Sequence, residues 1–380
     1  MIKRYLDGAI CQLIERGRLM VANIPRDLPR AYDTLAQNCR GKINALVADL
    51  RCLNDAKVFL SPTSQSERLR KFKRIVADLD FLETIGIAAL KKAQKDDHHL
   101  NSLLERIATE IQYPSETPVA TPLSNSYFHI FPDLRLLRVP LVERHFLLHL
   151  PDLYHELAHP LLIEENDPII EPLQQQYLQS LRDCLSYVQE EQIKEQRRRG
   201  PAKSQYMLRA WESSWARFWV TEFYCDIFGA FTTGPAYAWS HLHLVAKRGA
   251  NPFEVPEFGA SSHPADDARM RAVLLAAERN HFPDDEISVI RAAWQDLLDT
   301  TGAKAEPEYD WCFPRQLLEK LVSNCFAGLQ QVNIRPHLPR TTGTVAATLN
   351  SAWNQFWKDT TGFSEWEKQQ VEVMIRETRE

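Results

Sequence analysis

The chain has 380 residues, of which 44% are hydrophobic and 25% charged, and its formal net charge is −5. This is ordinary globular composition, long enough for two or three domains or for one large core with attachments. The small net charge leaves no basic excess to draw nucleic acid and no acidic tail to draw a charged partner.

The opening stretch, MIKRYLDGAICQLIERGRLM, is basic, but Asp7 and Glu15 interrupt any apolar run, so no secretory signal is expected. No stretch reaches the ~18 consecutive apolar residues of a membrane span. The most apolar segment, from Phe223 to Trp239, contains Asp226, Thr232, Thr233 and Pro235. A cytoplasmic protein is the expectation, with no membrane and no nucleic acid among its partners. Cysteines stand at 11, 39, 52, 184, 225, 312 and 325, an odd count without CxxC pairing. Reduced thiols are therefore expected rather than a disulfide framework.

Residues 1–110 have helical periodicity, as in Ile75, Leu79, Leu82 and Ile85. Pro25 and Pro29 break the first part, and Pro62, Ser64 and Ser66 predict a loop before the next helix. The segment YPSETPVATPLSNS, 113–126, reads as a linker. YFHIF (127–131) and LRLLRV (134–139) are strand candidates for a small hairpin or edge. Helical pattern resumes from Leu141. The charged stretch 189–205 reads as a surface connection or a helix extension. A long helix is predicted over about Tyr206 to Phe228, and another from near Pro264. TGAKAEPEYD, 301–310, sets off a last helical region. The fold expected is mainly α (α+β with a small sheet). It has three parts: an N-terminal helical region 1–112, a chemistry-bearing domain 113–300, and a C-terminal helical region 301–380.

The chemistry is expected from His155-Glu156-Leu157-Ala158-His159. On a helix, positions i and i+4 lie one turn apart on one face. Two imidazoles there can converge on one Zn²⁺, and Glu156 on the adjoining edge can reach a water activated by the metal. Leu150, Leu153, Tyr154, Leu157, Leu161 and Leu162 make the helix largely buried, where a His-Glu-His cluster needs compensation that a metal provides. The bland alternative is a helix whose histidines face water or carboxylates. Pro160 removes a helical hydrogen bond, so a kink or helix end is expected at His159.

Downstream, Glu222 and Asp226 share a stripe with Trp211, Trp215 and Trp219 at helical steps. If the aromatic part is core, the carboxylates are carried inward with it. Unpaired carboxylates there would be costly. Glu222 as third ligand and Asp226 as acceptor from a ligating imidazole N–H would relieve that cost. Cys225, close to Glu222, leaves room for a redox or inhibitory role.

HELAH followed by TEFYCDIFGA resembles the gluzincin zinc metallopeptidases, whose pattern is HExxH then ExxxD. Asp226-Ile227-Phe228-Gly229 is similar to the corresponding helix of thermolysin. Ser262-His263-Pro264 through Arg269 resembles the SHP segment of the HtpX and CAAX prenyl endopeptidase group. The resemblance lies in scattered motifs within roughly 140–275. It implies a zincin-like metallopeptidase core, with His155, His159 and Glu222 on Zn²⁺ and Glu156 as general base. Two features depart from it: a longer separation between His159 and Glu222 than in thermolysin, and Pro160 after the second histidine.

Supporting roles stay open. Ser262 or His263 can cap the helix that Asp266 and Asp267 begin, or His263 or Arg269 can donate to a developing oxyanion. Tyr237 can do the same, or line the substrate pocket, or simply pack. His145 and His149 are also spaced i, i+4 but lack a base at the motif position and read as packing or surface histidines; His241 and His243, spaced by two, read as helix-end or loop histidines. The expected function is a zinc metalloendopeptidase acting on a restricted intracellular protein or peptide, with the helical flanks serving recognition or a regulatory partner. The alternatives are a zinc-organised binding module without turnover, and a metal-free helical interaction protein.

Overall fold

The computed structural model describes residues 2–54, 62–93, 98–122, 127–140, 146–163, 167–198 and 202–377. The protein is mainly helical, and its chain forms two compact units. One comprises Met1–Ser102 and Pro118–Leu141; the other comprises Leu103–Thr117 and Val142–Glu380.

In the first unit, α1 (Ile2–Ala22) packs along α2 (Asp33–Asn54). Leu6, Ile10, Leu13, Gly17 and Met20 recur at steps of four and three and are buried, which gives α1 one apolar face. α2 answers with Cys39, Ile43, Val47 and Leu50. Pro25 and Pro29 fall in the connection, as expected. α3 (Pro62–Phe81) and α4 (Ala88–Lys92) flank a π-helical turn, Leu82–Ile87. Pro62 therefore starts a helix where a loop was expected. A first-turn proline loses no helical bond, because its missing N–H would have had no partner.

β1 (Val119–Thr121), β2 (His129–Phe131) and β3 (Leu136–Arg138) form a sheet in the order β1-β3-β2. β2 and β3 make the expected antiparallel pair, with Ile130 opposite Leu137. β1 runs parallel to β3 and lies inside the stretch expected to be a linker. Its Val-Ala-Thr is buried throughout, and the Asn101 side chain grips Ala120 through two hydrogen bonds, at 2.8 and 3.0 Å. Short length and flanking prolines hid this strand. The sheet belongs to the first unit.

The second unit begins within α5 (His98–Glu110). It continues with α6 (Asp152–Ile163), α7 (Glu171–Arg198), α8 (Ala202–Ser214), α9 (Val220–Thr233) and α10 (Pro235–Arg248). After a loop come α11 (Asp266–Arg279), α12 (Asp284–Thr301), α13 (Pro307–Cys312), α14 (Arg315–Gln331), α15 (Val345–Lys358) and α16 (Phe363–Glu377). Residues 302–306 join α12 to α13 within this unit. The charged 189–198 stretch is the end of α7, a helix extension. α9 is the centre: it packs on α6, α11, α14, α10 and α15, and from Phe223 to Thr233 all its residues are buried. No helix among the described residues is long and apolar enough to cross a membrane.

Two departures from the expected helices matter for the site. Between α8 and α9, Trp215–Trp219 form a π-turn rather than a continuation of regular α-helix. Such a turn admits an extra residue and rotates the succeeding helix by about 100° relative to an uninterrupted α-helix. It is held by rings: Trp215 stacks on Phe223 at 5.4 Å, and Phe313 closes on Trp215, Trp219 and Phe223. Second, of the kink or end expected at His159, the end does not occur: α6 passes through Pro160 to Ile163. Leu161 is fully buried, and its carbonyl accepts from Gln174 Nε2 at 3.1 Å, which holds the turn beyond the proline.

Gly234 separates α9 from α10 at φ +73° and ψ −147°, a conformation essentially reserved for glycine. A Cβ there would lie 2.6 Å from the Phe282 ring. Gly234→Ala is expected to lower the unfolding free energy by at least about 2 kcal/mol, from strained backbone plus overpacking. Urea denaturation checks this; an unchanged midpoint would contradict it.

Candidate metal centre

α6 and α9 face each other, and the motif residues meet where they do. His155 is buried and His159 half-buried. Their Nε2 atoms are 3.3 Å apart. Glu222 Oε2 lies 3.6 Å from His155 Nε2. Four donors about 2.0–2.1 Å from a tetrahedral ion are ~3.3–3.4 Å from one another. Each of these two separations, both measured from His155, is close to that spacing. Cys225 also reaches the place: its Sγ and a ring nitrogen of each histidine all lie within 4.8 Å of one another. His155, His159 and Cys225 form a group that could hold a metal ion, and Glu222 stands closer to His155 than that limit requires.

Asp226, with no exposed surface, fixes His155. His155 Nδ1 hydrogen-bonds Asp226 Oδ1 at 3.0 Å, which turns Nε2 toward His159 and Glu222. Tyr237 donates its hydroxyl to the same oxygen at 2.6 Å and lies 3.0 Å from His155 Nδ1. Arg269 grips the carboxylate with both arms, Nε to Oδ2 and Nη2 to Oδ1, each at 2.7 Å. Burial pushes the Asp226 carboxyl up, but the Arg269 charge and hydrogen bonds, with those of His155, hold it well below the usual range. Burial opposes charge on His155, yet the hydrogen bond to Asp226 and the nearby charges of Asp226, Glu222 and Glu156 raise it to about 9. Glu222 behaves as Asp226 does: burial raises it, and His155, Arg269, His159 and His263 together bring it below its ordinary value.

The structure brings together His155, His159, Glu222, Asp226, Tyr237 and Arg269, with His263 on the solvent side. The His263 side chain is 54% exposed and its Nε2 is 3.7 Å from Glu222 Oε2. Its Nδ1 is 2.9 Å from Ser262 Oγ. Neither residue caps α11; Ala265 occupies that position without a side-chain bond. Arg269 and Tyr237 are deeply buried, and both are engaged with Asp226. Glu156 is half-buried beside His155 and acts on it electrostatically.

Of the other histidines, His145 lies outside the described residues. His149 pairs with His243, Nε2 to Nε2 at 2.9 Å, and His241 is buried with Nε2 3.0 Å from the Asp266 carbonyl. His241 and His243 thus lie within α10 and not at a helix end or in a loop, and their i, i+2 spacing points the two rings to different partners.

Two contributors were missed in the sequence. Tyr113 donates to the Leu157 carbonyl at 2.8 Å, tying α6 from outside the motif. Gly229 is the other: a Cβ there would lie 2.6 Å from Tyr237 Cε2. Its hydrogen lets the Tyr237 ring lie on α9, one turn beyond Asp226, with the hydroxyl on that carboxylate. A glycine one turn past a buried acid, followed by a tyrosine near the start of the next helix, was the available signal.

The chain matches no protein-family model, no curated protein and no solved structure.

Breaking the Arg269–Asp226 pair leaves a buried charge without compensation. Arg269→Met is expected to cost roughly 3–5 kcal/mol of stability in chelator-treated protein. Arg269→Lys should recover only part of this, because a point charge cannot reproduce the two-armed grip. Denaturant unfolding of both variants checks it; wild-type stability in Arg269→Met would contradict it.

Proposed function

We propose that the chain is a zinc-dependent metallopeptidase with a gluzincin-type, zincin-like core, hydrolysing a restricted protein or peptide substrate in the cytoplasm. The observation that carries this reading is that His155 has a second imidazole and a carboxylate close to its Nε2. His155 Nε2 stands 3.3 Å from His159 Nε2 and 3.6 Å from Glu222 Oε2, with Asp226 behind His155. Imidazole and carboxylate donors suit zinc. His155, His159 and Glu222 would hold the ion, which when bound supplies Lewis-acid polarisation of the scissile carbonyl and acidifies water.

The remaining steps belong to the chain's own side chains. Glu156 accepts a proton from the attacking water and returns it to the leaving amine. Asp226 keeps the Nδ1 proton of His155 and thereby presents the Nε2 lone pair. Arg269 and Tyr237 hold Asp226 in place, so in this reading they are positioning residues rather than oxyanion donors. His263, exposed and beside Glu222, is the side chain available to donate to the tetrahedral oxyanion. Such a donor is worth ~2.7–4 kcal/mol where it has been removed.

A second reading, a zinc-organised binding module without turnover, draws on Cys225. Four protein donors would close the ion's shell, as in structural sites. The two readings separate on one variant and one assay. With the hydrolytic reading, wild-type protein cleaves members of a broad peptide library. Glu156→Gln then retains one equivalent of zinc and loses at least ~10²-fold in turnover. Turnover surviving in Glu156→Gln would exclude this base, and zinc without cleavage in the wild type would favour the binding module.

A further inference from the structure

The hydrolytic chemistry makes no use of Cys225. This residue comes three positions after Glu222 on α9, so the two side chains share a face of the helix. It is completely buried, joins no disulfide, and its sulfur makes no hydrogen bond among the described residues. A core cysteine normally sits among apolar groups. Here Glu222, Asp226 and Glu156 are all near enough to act on it electrostatically. Cys225 is also the only cysteine among the described residues grouped with histidine nitrogens at metal-binding separation.

We propose that Cys225 is a thiolate donor to the ion held by His155 and His159, competing with water for the fourth position. The proposal rests on the metal-centre reading of these helices. One sulfur–metal bond forms, the thiol proton passes to solvent, and no oxidation state changes. With Glu222 also bound, four protein donors close the shell and hydrolysis stops; when sulfur withdraws, the position opens. Closed and open forms of one centre thus reconcile a catalytic motif with a fourth ligand. A sulfur donor also tilts preference toward zinc and cadmium and away from manganese and magnesium.

Cobalt substitution tests this independently of peptide cleavage. The full chain is stripped with chelator and reloaded with one equivalent of Co²⁺, and its near-ultraviolet absorption is recorded. The wild type is expected to show a sulfur-to-cobalt charge-transfer band. Cys225→Ala and Cys225→Ser should still bind one equivalent and lack that band. Loading the wild type with Cd²⁺, which needs no variant, should give a corresponding sulfur-to-cadmium band. Metal bound in all three proteins with the same near-ultraviolet spectrum would overturn thiolate ligation while leaving the histidine–carboxylate centre standing. A wild type that takes up neither Co²⁺ nor Cd²⁺ would overturn both.

Discussion

A carboxylate with no exposed surface is the constraint around which the second unit is arranged. Asp226 lies on the most enclosed helix of the unit, where an isolated charge would be prohibitively costly. It remains ionised because Arg269 from α11 supplies two charge-assisted hydrogen bonds, Tyr237 from α10 a third, and His155 from α6 a fourth. One side chain thus ties four helices together. The same bonds hold the His155 ring in a single orientation. Stability and site geometry are therefore not separable here: the donors that make Asp226 tolerable in the core also aim His155 Nε2 at His159 and Glu222.

This explains the surroundings of the site. Gly229 is required by the ring of Tyr237, and Gly234 by the sharp change of direction that brings Tyr237 back over α9. The π-turn at Trp215–Trp219 sets the rotation of α9 relative to α8, and so decides which face carries Glu222 and Asp226 toward α6. The aromatic cluster of Trp215, Trp219, Phe223 and Phe313 fixes that rotation by packing. His263 stands at the solvent edge, 3.7 Å from the Glu222 carboxylate.

Much of this arrangement was legible in the sequence, because periodicity is a strong signal in long helices. The helical character of both ends, the antiparallel strand pair and the inward stripe ending in Glu222 and Asp226 all come from spacing. What was not legible depends on partners far apart in the chain. Pro160 implies a kink or a helix end by local rules, and of these the end is averted where the buried packing of Leu161 carries α6 past it. β1 is too short to show a period. The π-turn differs from an α-turn by one residue, and the tryptophan spacing suits either. Arg269 was considered as an oxyanion donor from its neighbourhood in sequence, but its buried grip on Asp226 emerges only once α11 is laid against α9. Closeness to Glu222 set Cys225 apart as a candidate for a redox or inhibitory role, but its grouping with the histidines of α6 emerges only from the fold.

The central claim is that α6 and α9 together define the position of one ion. Anomalous diffraction at the zinc absorption edge, from crystals of the zinc-loaded full chain, measures this directly. The account predicts one strong peak about 2.0–2.2 Å from His155 Nε2, His159 Nε2 and a Glu222 carboxylate oxygen. No peak between these side chains, or a peak only beside His149 and His243, would contradict it.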